Sequence, residues 1–284
     1  MSRLCEALRR MEAERRTSRA AQVEPIGPME LIDGSDSLQV DLRQVPSARV
    51  AVSVESRLAA LTDPQGLGAE KFRALATRLE HLRHHQELRS FQVTSGLAHE
   101  GKTLVAANLA VTFAQSLGTR VLLIDGDMHR PSLSPLLGLS KTKGISHWWL
   151  TRDAEISSYL TRLGHMPLWF LSAGSDCEQP SYILQSARFA EALFRIMGSF
   201  DWIIVDSTPM LPFADSNLWS RLLDGTLLVV REGVASGKAL KKGLEAIDNP
   251  NVFGVVLNDA PDIDHINYED QYYALPKPGK IKTV

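Results

Sequence analysis

Cysteine is nearly absent: Cys5 and Cys177 are the whole complement of 284 residues, too few for a disulfide framework and in keeping with a reducing compartment. Long apolar runs are missing as well. The longest, such as Val121–Ile124 and Thr226–Val230, have the length of a strand, far short of the ~20 residues that span a bilayer. The N-terminus, M-S-R-L-C-E-A-L-R-R-M-E-A-E-R-R, lacks the apolar centre of a secretory signal. No set of histidines and cysteines has zinc spacing. Excess charge of one sign is missing too: 31 Lys and Arg face 33 Asp and Glu, which gives no global attraction for nucleic acid. These absences imply a cytoplasmic protein with no direct membrane insertion, one that reaches a membrane only through a partner. What remains is ordinary globular material, 44% hydrophobic and 23% charged, long enough for one large α/β domain with appendages.

Three regions separate along the chain. Residues 1–65 begin with a charged helix candidate, where Leu4, Leu8 and Met11 share a stripe. The rest of that region is interrupted by Pro25, Pro28, Gly34, Pro46 and Pro64, and reads as a linker with one short strand candidate, Ala48–Val54. Residues 66–260 form the main domain. They open with a helical stretch over 69–89, and from residue 91 strand-like runs alternate with helical ones. The strands are predicted at Phe91–Thr94, Val121–Asp125, Leu168–Leu171, Trp202–Asp206, Thr226–Arg231 and Phe253–Leu257. The helices fall at Lys102–Leu117, Tyr182–Met197, Ser216–Leu223 and Lys238–Ile247. This alternation predicts a doubly wound, mostly parallel sheet with helices on both faces, whose ligands sit beyond the carboxyl ends of the strands. Residues 261–284 are a polar, flexible tail.

The most specific signal is Gly96 to Thr103, G-L-A-H-E-G-K-T, a complete G-x-x-x-x-G-K-[ST] loop between a predicted strand and a predicted helix. Backbone N–H groups of Ala98, His99, Glu100, Gly101, Lys102, Thr103 and Leu104 are placed to cradle phosphate at a helix N-terminus. Lys102 is placed to reach the β- and γ-phosphates, and the Thr103 hydroxyl to hold Mg²⁺. The motif identifies a phosphate-loop NTPase.

Two apolar strands then end in aspartate. Val121-Leu122-Leu123-Ile124-Asp125-Gly126-Asp127 closes on D-x-D, and Trp202-Ile203-Ile204-Val205-Asp206-Ser207-Thr208-Pro209 on D-x-x-P. One strand-end carboxylate is needed to complete the Mg²⁺ shell, and Asp206 and Asp125 are both candidates. Asp125 follows the loop by one helix and one strand, which sets it beside the γ-phosphate, where a carboxylate orients a nucleophile and accepts its proton. The nucleophile is water or a hydroxyl. Asp127 is either a further catalytic carboxylate or a group that structures the following turn.

The loop, then L-I-D-G-D-M-H-R-P-S-L at 123–133, then I-I-V-D-S-T-P at 203–209, resembles the bacterial tyrosine autokinases, the capsular and exopolysaccharide kinase branch of the P-loop ATPases. Ala106–Ala110 (A-A-N-L-A), Gln179–Leu184, Gly254–Asn258 and the helix E-K-F-R-A-L at Glu70–Leu75 extend the similarity over about residues 66–260. The resemblance implies an ATP- and Mg²⁺-dependent protein-tyrosine kinase that autophosphorylates in trans within a homo-oligomer. It also implies an activating membrane-spanning polysaccharide co-polymerase partner, which recruits the kinase to the inner face of the membrane, and control of exopolysaccharide synthesis or export. Tyr268, Tyr272 and Tyr273, three of five tyrosines, become the phosphoacceptors; the plainer account is a tail that docks through its aromatics. Lys102, Asp125, Asp127 and Asp206 become the catalytic set, with Arg130 on the acceptor side. Asn258 becomes an adenine contact or a turn-forming residue, and Arg231 a group over the base or a surface charge.

The septum-positioning and partition ATPases share this fold, but carry lysine where this chain has Leu97. Departures from the kinase pattern are His129 in place of an arginine, Thr208 in place of a proline, Ala98 and His99 in place of Pro-Gly, and Ala76 in place of a second arginine on the upstream helix. The rival readings are a non-kinase ATPase switch and an ATP-sensing pseudokinase. His147 beside Trp148 and Trp149 marks either a partner-binding patch or aromatic packing under a loop.

Overall fold

The computed structural model describes residues 40–53, 56–139, 142–175, 177, 179–247 and 251–260. Eight strands form one sheet: β1 (Ser47–Ala48), β2 (Ser90–Ser95), β3 (Val121–Asp125), β4 (Leu160–Leu163), β5 (Leu168–Leu171), β6 (Trp202–Asp206), β7 (Gly225–Arg231) and β8 (Val252–Asn258). Their order is β1-β4-β5-β3-β6-β2-β7-β8. Every pairing is parallel except β4 with β5. The helices are α1 (Ala59–Thr62), α2 (Leu67–His85), α3 (Lys102–Ser116), α4 (Leu133–Leu136), α5 (Ile145–Leu150), α6 (Pro180–Leu184), α7 (Ala187–Met197), α8 (Asp215–Leu222) and α9 (Gly237–Glu245). The doubly wound α/β expectation is met.

Side-chain alternation on the central strands divides the core. Val121 and Leu123 of β3 join Phe91, Val93, Leu109, Phe113 and Trp202 on the face covered by α2 and α3. Leu122 and Ile124 join Trp169, Phe189, Leu193, Ile203, Val205 and Trp219 on the face covered by α5, α7 and α8. Strands buried on both faces must be apolar at successive positions, which is why β3 and β6 read as unbroken runs closed by an aspartate. Phe113 stacks on Trp202 with ring centroids 4.6 Å apart, adding about 0.5–1.5 kcal/mol beyond simple burial.

Several elements differ from expectation. The helix predicted over Tyr182–Met197 is two helices, because the Ser186 hydroxyl accepts the Phe189 N–H at 3.1 Å and caps a fresh start for α7. The unpredicted β4 pairs antiparallel with β5; its four residues bury only their ends, so no strand period is visible. Only Ser47 and Ala48 form the early strand, and residues 49–53 are not strand. From residue 40 on, the stretch read as linker docks on the domain. Leu58 is fully buried, and Asn108 of α3 bonds the Ala60 N–H at 3.1 Å and the Arg57 carbonyl at 3.2 Å. The N-terminal helix candidate, the tail and its tyrosines lie outside the described residues. Among the described residues no helix is long and apolar enough to cross a membrane.

Candidate active site

The phosphate loop leaves β2 at Ser95 and turns into α3 at Lys102. His99 (φ 67°) and Gly101 (φ 96°) both take the left-handed conformation, which rolls the backbone into a concave nest. Gly101 is required twice over. L-residues avoid that φ, and a Cβ there would lie 2.2 Å from Asn258 Nδ2. Ala98 and His99 are exposed at the loop's tip; Thr103 and Leu104 are half-buried in the first turn of α3. Glu100 is wholly buried. Its carboxylate accepts the Leu97 N–H at 2.6 Å and the Arg231 N–H at 3.3 Å.

The parallel register brings the acidic motifs to this loop. Asp125 and Asp206 are direct partners across β3 and β6, and Ser207 donates its N–H to the Val93 carbonyl of β2 at 3.0 Å. Lys102 Nζ lies 3.0 Å from Asp127 Oδ2, 3.4 Å from Asp206 Oδ1 and 3.4 Å from Thr103 Oγ1. Lys102, Thr103, Asp127 and Asp206 thus converge, and Asp125 stands beside Asp206. Asp127 structures the turn, its Oδ1 accepting the Arg130 N–H at 3.0 Å, while its Oδ2 meets the lysine.

This grouping shifts its own ionisation. Burial, then the Asp206 charge, carry the Asp125 carboxyl well above the usual carboxylate range, against a 3.1 Å bond from the Leu133 N–H. Burial raises Asp206 as well, with Lys102 the largest opposing influence and a Thr103 hydrogen bond next. Lys102 is pulled down by burial, but Asp206 and Asp127 outweigh this and hold it above the ordinary lysine value.

Four buried polar atoms here take no hydrogen bond from the protein: Asp125 Oδ1, Asp206 Oδ2, Ser207 Oγ and Thr208 Oγ1. Orphaned buried acceptors are costly. Two of them are carboxylate oxygens beside a backbone nest and a lysine, a donor set suited to a hydrated hard cation. Among the described residues no three His, Cys, Asp or Glu side chains form a metal site by themselves.

Other predicted residues fall as follows. Asn258 sends its Nδ2 to the Glu100 carbonyl at 2.9 Å, so it braces the loop rather than its own turn. Arg231 is bound by Asp259 at 2.9 Å through Nε, at the rim. His129 stacks on Phe213 at 4.5 Å, with Nε2 2.9 Å from Asp215 Oδ2. That oxygen has no aligned donor, so the contact is a close approach rather than a well-directed hydrogen bond. Ala76, in place of the arginine, is buried, a position with no room for a guanidinium. His147 belongs to packing: its Nδ1 accepts the Gly144 N–H at 3.3 Å, and Arg188 lies over the Trp148 ring at 4.3 Å. The Asp215–His129 pair and the inward turn of Glu100 escaped sequence reading, because no local pattern joins these partners.

Residues 91–279 match the CbiA family, the CobQ/CobB/MinD/ParA nucleotide binding domain. The chain belongs to this family. The tyrosine-protein kinase YwqD of Bacillus subtilis is 28% identical over 217 residues, covering 76% of this chain and 91% of that protein. The tyrosine-protein kinase Wzc of Salmonella typhi is 31% identical over 206 residues, 72% of this chain and 28% of its own length. Among solved structures, the kinase domain of the Escherichia coli tyrosine kinase ETK aligns with a TM-score of 0.64 at 26% identity, covering 72% of this chain and 82% of that one. The kinship with bacterial tyrosine kinases read from the motifs is borne out, and the match to a nucleotide-binding family agrees with the complete phosphate loop.

Proposed function

We propose that the chain is an ATP-dependent protein-tyrosine autokinase that transfers the γ-phosphoryl group to Tyr268, Tyr272 and Tyr273 of a neighbouring copy. The observation that carries this is the convergence of Lys102 with Thr103, Asp127 and Asp206, beside Asp125, at the mouth of a preformed phosphate nest. Extended similarity to proteins named tyrosine-protein kinases supports it.

Backbone N–H groups of Ala98 to Leu104 bind the phosphates, and Asn258 keeps the loop in register. Lys102 exchanges its carboxylate partners for phosphate oxygens and neutralises charge on the transferred group. Thr103, Asp125 and Asp206 hold Mg²⁺, which when bound neutralises the β- and γ-phosphates. Asp125 orients the tyrosine hydroxyl and takes its proton as the tyrosine oxygen bonds to γ-phosphorus and the bond to the β-phosphate oxygen breaks, releasing ADP. Asp127 and Arg130 shape the acceptor side.

The kinase domain is read as residues 66–260, joined by the docked stretch from residue 40 that adds β1 and Leu58 to its sheet and core, and extended by the tail at 261–284 that carries the acceptors. Phosphorylation in trans requires a homo-oligomer. A membrane-spanning polysaccharide co-polymerase recruits and activates the kinase at the cytoplasmic face, and the process controlled is exopolysaccharide synthesis or export. Purified protein incubated with Mg·ATP and probed for phosphotyrosine tests the reading. Phosphotyrosine on the tail, lost in Lys102→Met, supports it. Release of inorganic phosphate without labelled tyrosine favours a non-kinase switch, and binding without turnover favours a nucleotide sensor.

A further inference from the structure

A carboxylate inside a phosphate-binding loop is an odd choice, since its charge opposes that of the ligand. Glu100 occupies that position and is entirely buried. The two left-handed residues, His99 and Gly101, stand on either side of it and turn its side chain inward, beneath the nest. There Oε2 accepts the Leu97 N–H at 2.6 Å, closing the loop on its own first half. Oε1 accepts the Arg231 N–H at 3.3 Å, tying the loop to the end of β7. Its carbonyl accepts Asn258 Nδ2 at 2.9 Å, tying it to the end of β8. Gly96 sits alongside: a Cβ there would fall 2.8 Å from Leu240 Cδ2, while Glu100 Oε2, at 3.4 Å, would be in ordinary contact.

We infer that Glu100 is a positioning residue, which fixes the anion-binding shape of the loop before nucleotide arrives by accepting two backbone N–H groups that face away from the phosphates. It deepens the nucleotide reading given above and rests on it. Charge suits the task, because an ionised acceptor makes hydrogen bonds roughly twice as strong as a neutral one. Glutamine cannot replace it. Both facing groups are donors, and a carboxamide offers one acceptor and one N–H₂, so one backbone N–H would meet another donor.

The sign of the effect separates positioning from simple electrostatics. Glu100→Gln removes a negative charge beside a triphosphate site, and on Coulomb grounds alone affinity would rise. Positioning predicts the reverse. Isothermal calorimetry on the full chain is expected to show Mg·ATP binding weakened about tenfold in Glu100→Gln, with the melting temperature within a few degrees of wild type. Unchanged or tighter binding overturns the inference. An independent check needs no variant: amide exchange followed by NMR in the nucleotide-free wild-type chain. The Leu97 and Arg231 amides are expected to be protected well beyond that of His99 at the tip; exchange as fast as His99 overturns the role. Should the wild-type chain take no nucleotide at all, the nucleotide reading fails, while the protection of these two amides still decides whether Glu100 locks the loop.

Discussion

Asp125 and Asp206 face one another across neighbouring parallel strands, each with no measurable exposure to solvent. Two carboxylates placed so close cannot both ionise cheaply, and one oxygen of each has no protein donor. The nucleotide-free protein therefore stores a strain that a bound cation would relieve. Function lives in the same pair of atoms that costs the fold stability.

That strain can be measured. A carboxyl whose folded pKa is raised takes up its proton before the unfolded chain does. Stability therefore declines as pH rises from the ordinary value near 3.8 through the folded pKa, and is level above it. Asp125→Asn removes the charge at every pH. Its nucleotide-free melting temperature is expected to exceed that of wild type at pH 7.5 by about 3 °C or more, since ~1 kcal/mol moves Tm by 2–4 °C in a domain of this size. The gap should close as pH approaches 4, and phosphotyrosine formation should be lost. A variant that melts below wild type at pH 7.5 would refute the strain.

Lys102→Met tests the opposite partner. Removing the ammonium leaves Asp127 and Asp206 without the cation they share. Breaking a buried ion pair from one side costs about 3 kcal/mol or more. A lower melting temperature at pH 8, partly regained at pH 5 as Asp206, already raised by burial, takes up a proton, is the expected result in thermal denaturation. No change in Tm at either pH would mean that Lys102 does not hold the cluster.

Gly101→Ala asks whether the nest is preformed. Alanine in the left-handed region costs about 1–2 kcal/mol, and its Cβ would displace Asn258 from the Glu100 carbonyl. Calorimetry should record at least a tenfold loss in Mg·ATP affinity while the far-ultraviolet circular dichroism stays native. Wild-type affinity would show that neither the φ nor the Asn258 brace matters.

The legible parts of this protein were those where local chemistry dictates position. A strand buried on both faces must be written as a continuous apolar run, so β3 and β6 and their terminal aspartates were plain from Val121–Asp125 and Trp202–Asp206. The loop was plain because a backbone nest, a lysine and a hydroxyl need fixed spacing. What stayed hidden depended on partners distant in the chain. Val40, Leu42, Val45 and Leu58 lie among polar residues and a proline with no sustained period, and Val50 and Val52, though they alternate like a strand, are not one, yet each packs on a core cluster. The break at Ser186 is a single hydroxyl capping a helix that hydrophobic spacing alone would have continued. Asp215 finds His129 from another element, and nothing around either residue announces the other. Glu100 was visible as a member of the loop, but the direction of its side chain follows from the φ of its neighbours.

The most direct measurement mixes two inactive halves with Mg·ATP. One is Lys102→Met with its tail intact; the other has a wild-type loop and the substitutions Tyr268→Phe, Tyr272→Phe and Tyr273→Phe. Mass spectrometry is expected to find phosphate on the tail tyrosines of the Lys102→Met chain alone, as transfer between copies requires. Consumption of ATP with no phosphotyrosine on either chain would contradict the assignment as a tyrosine kinase.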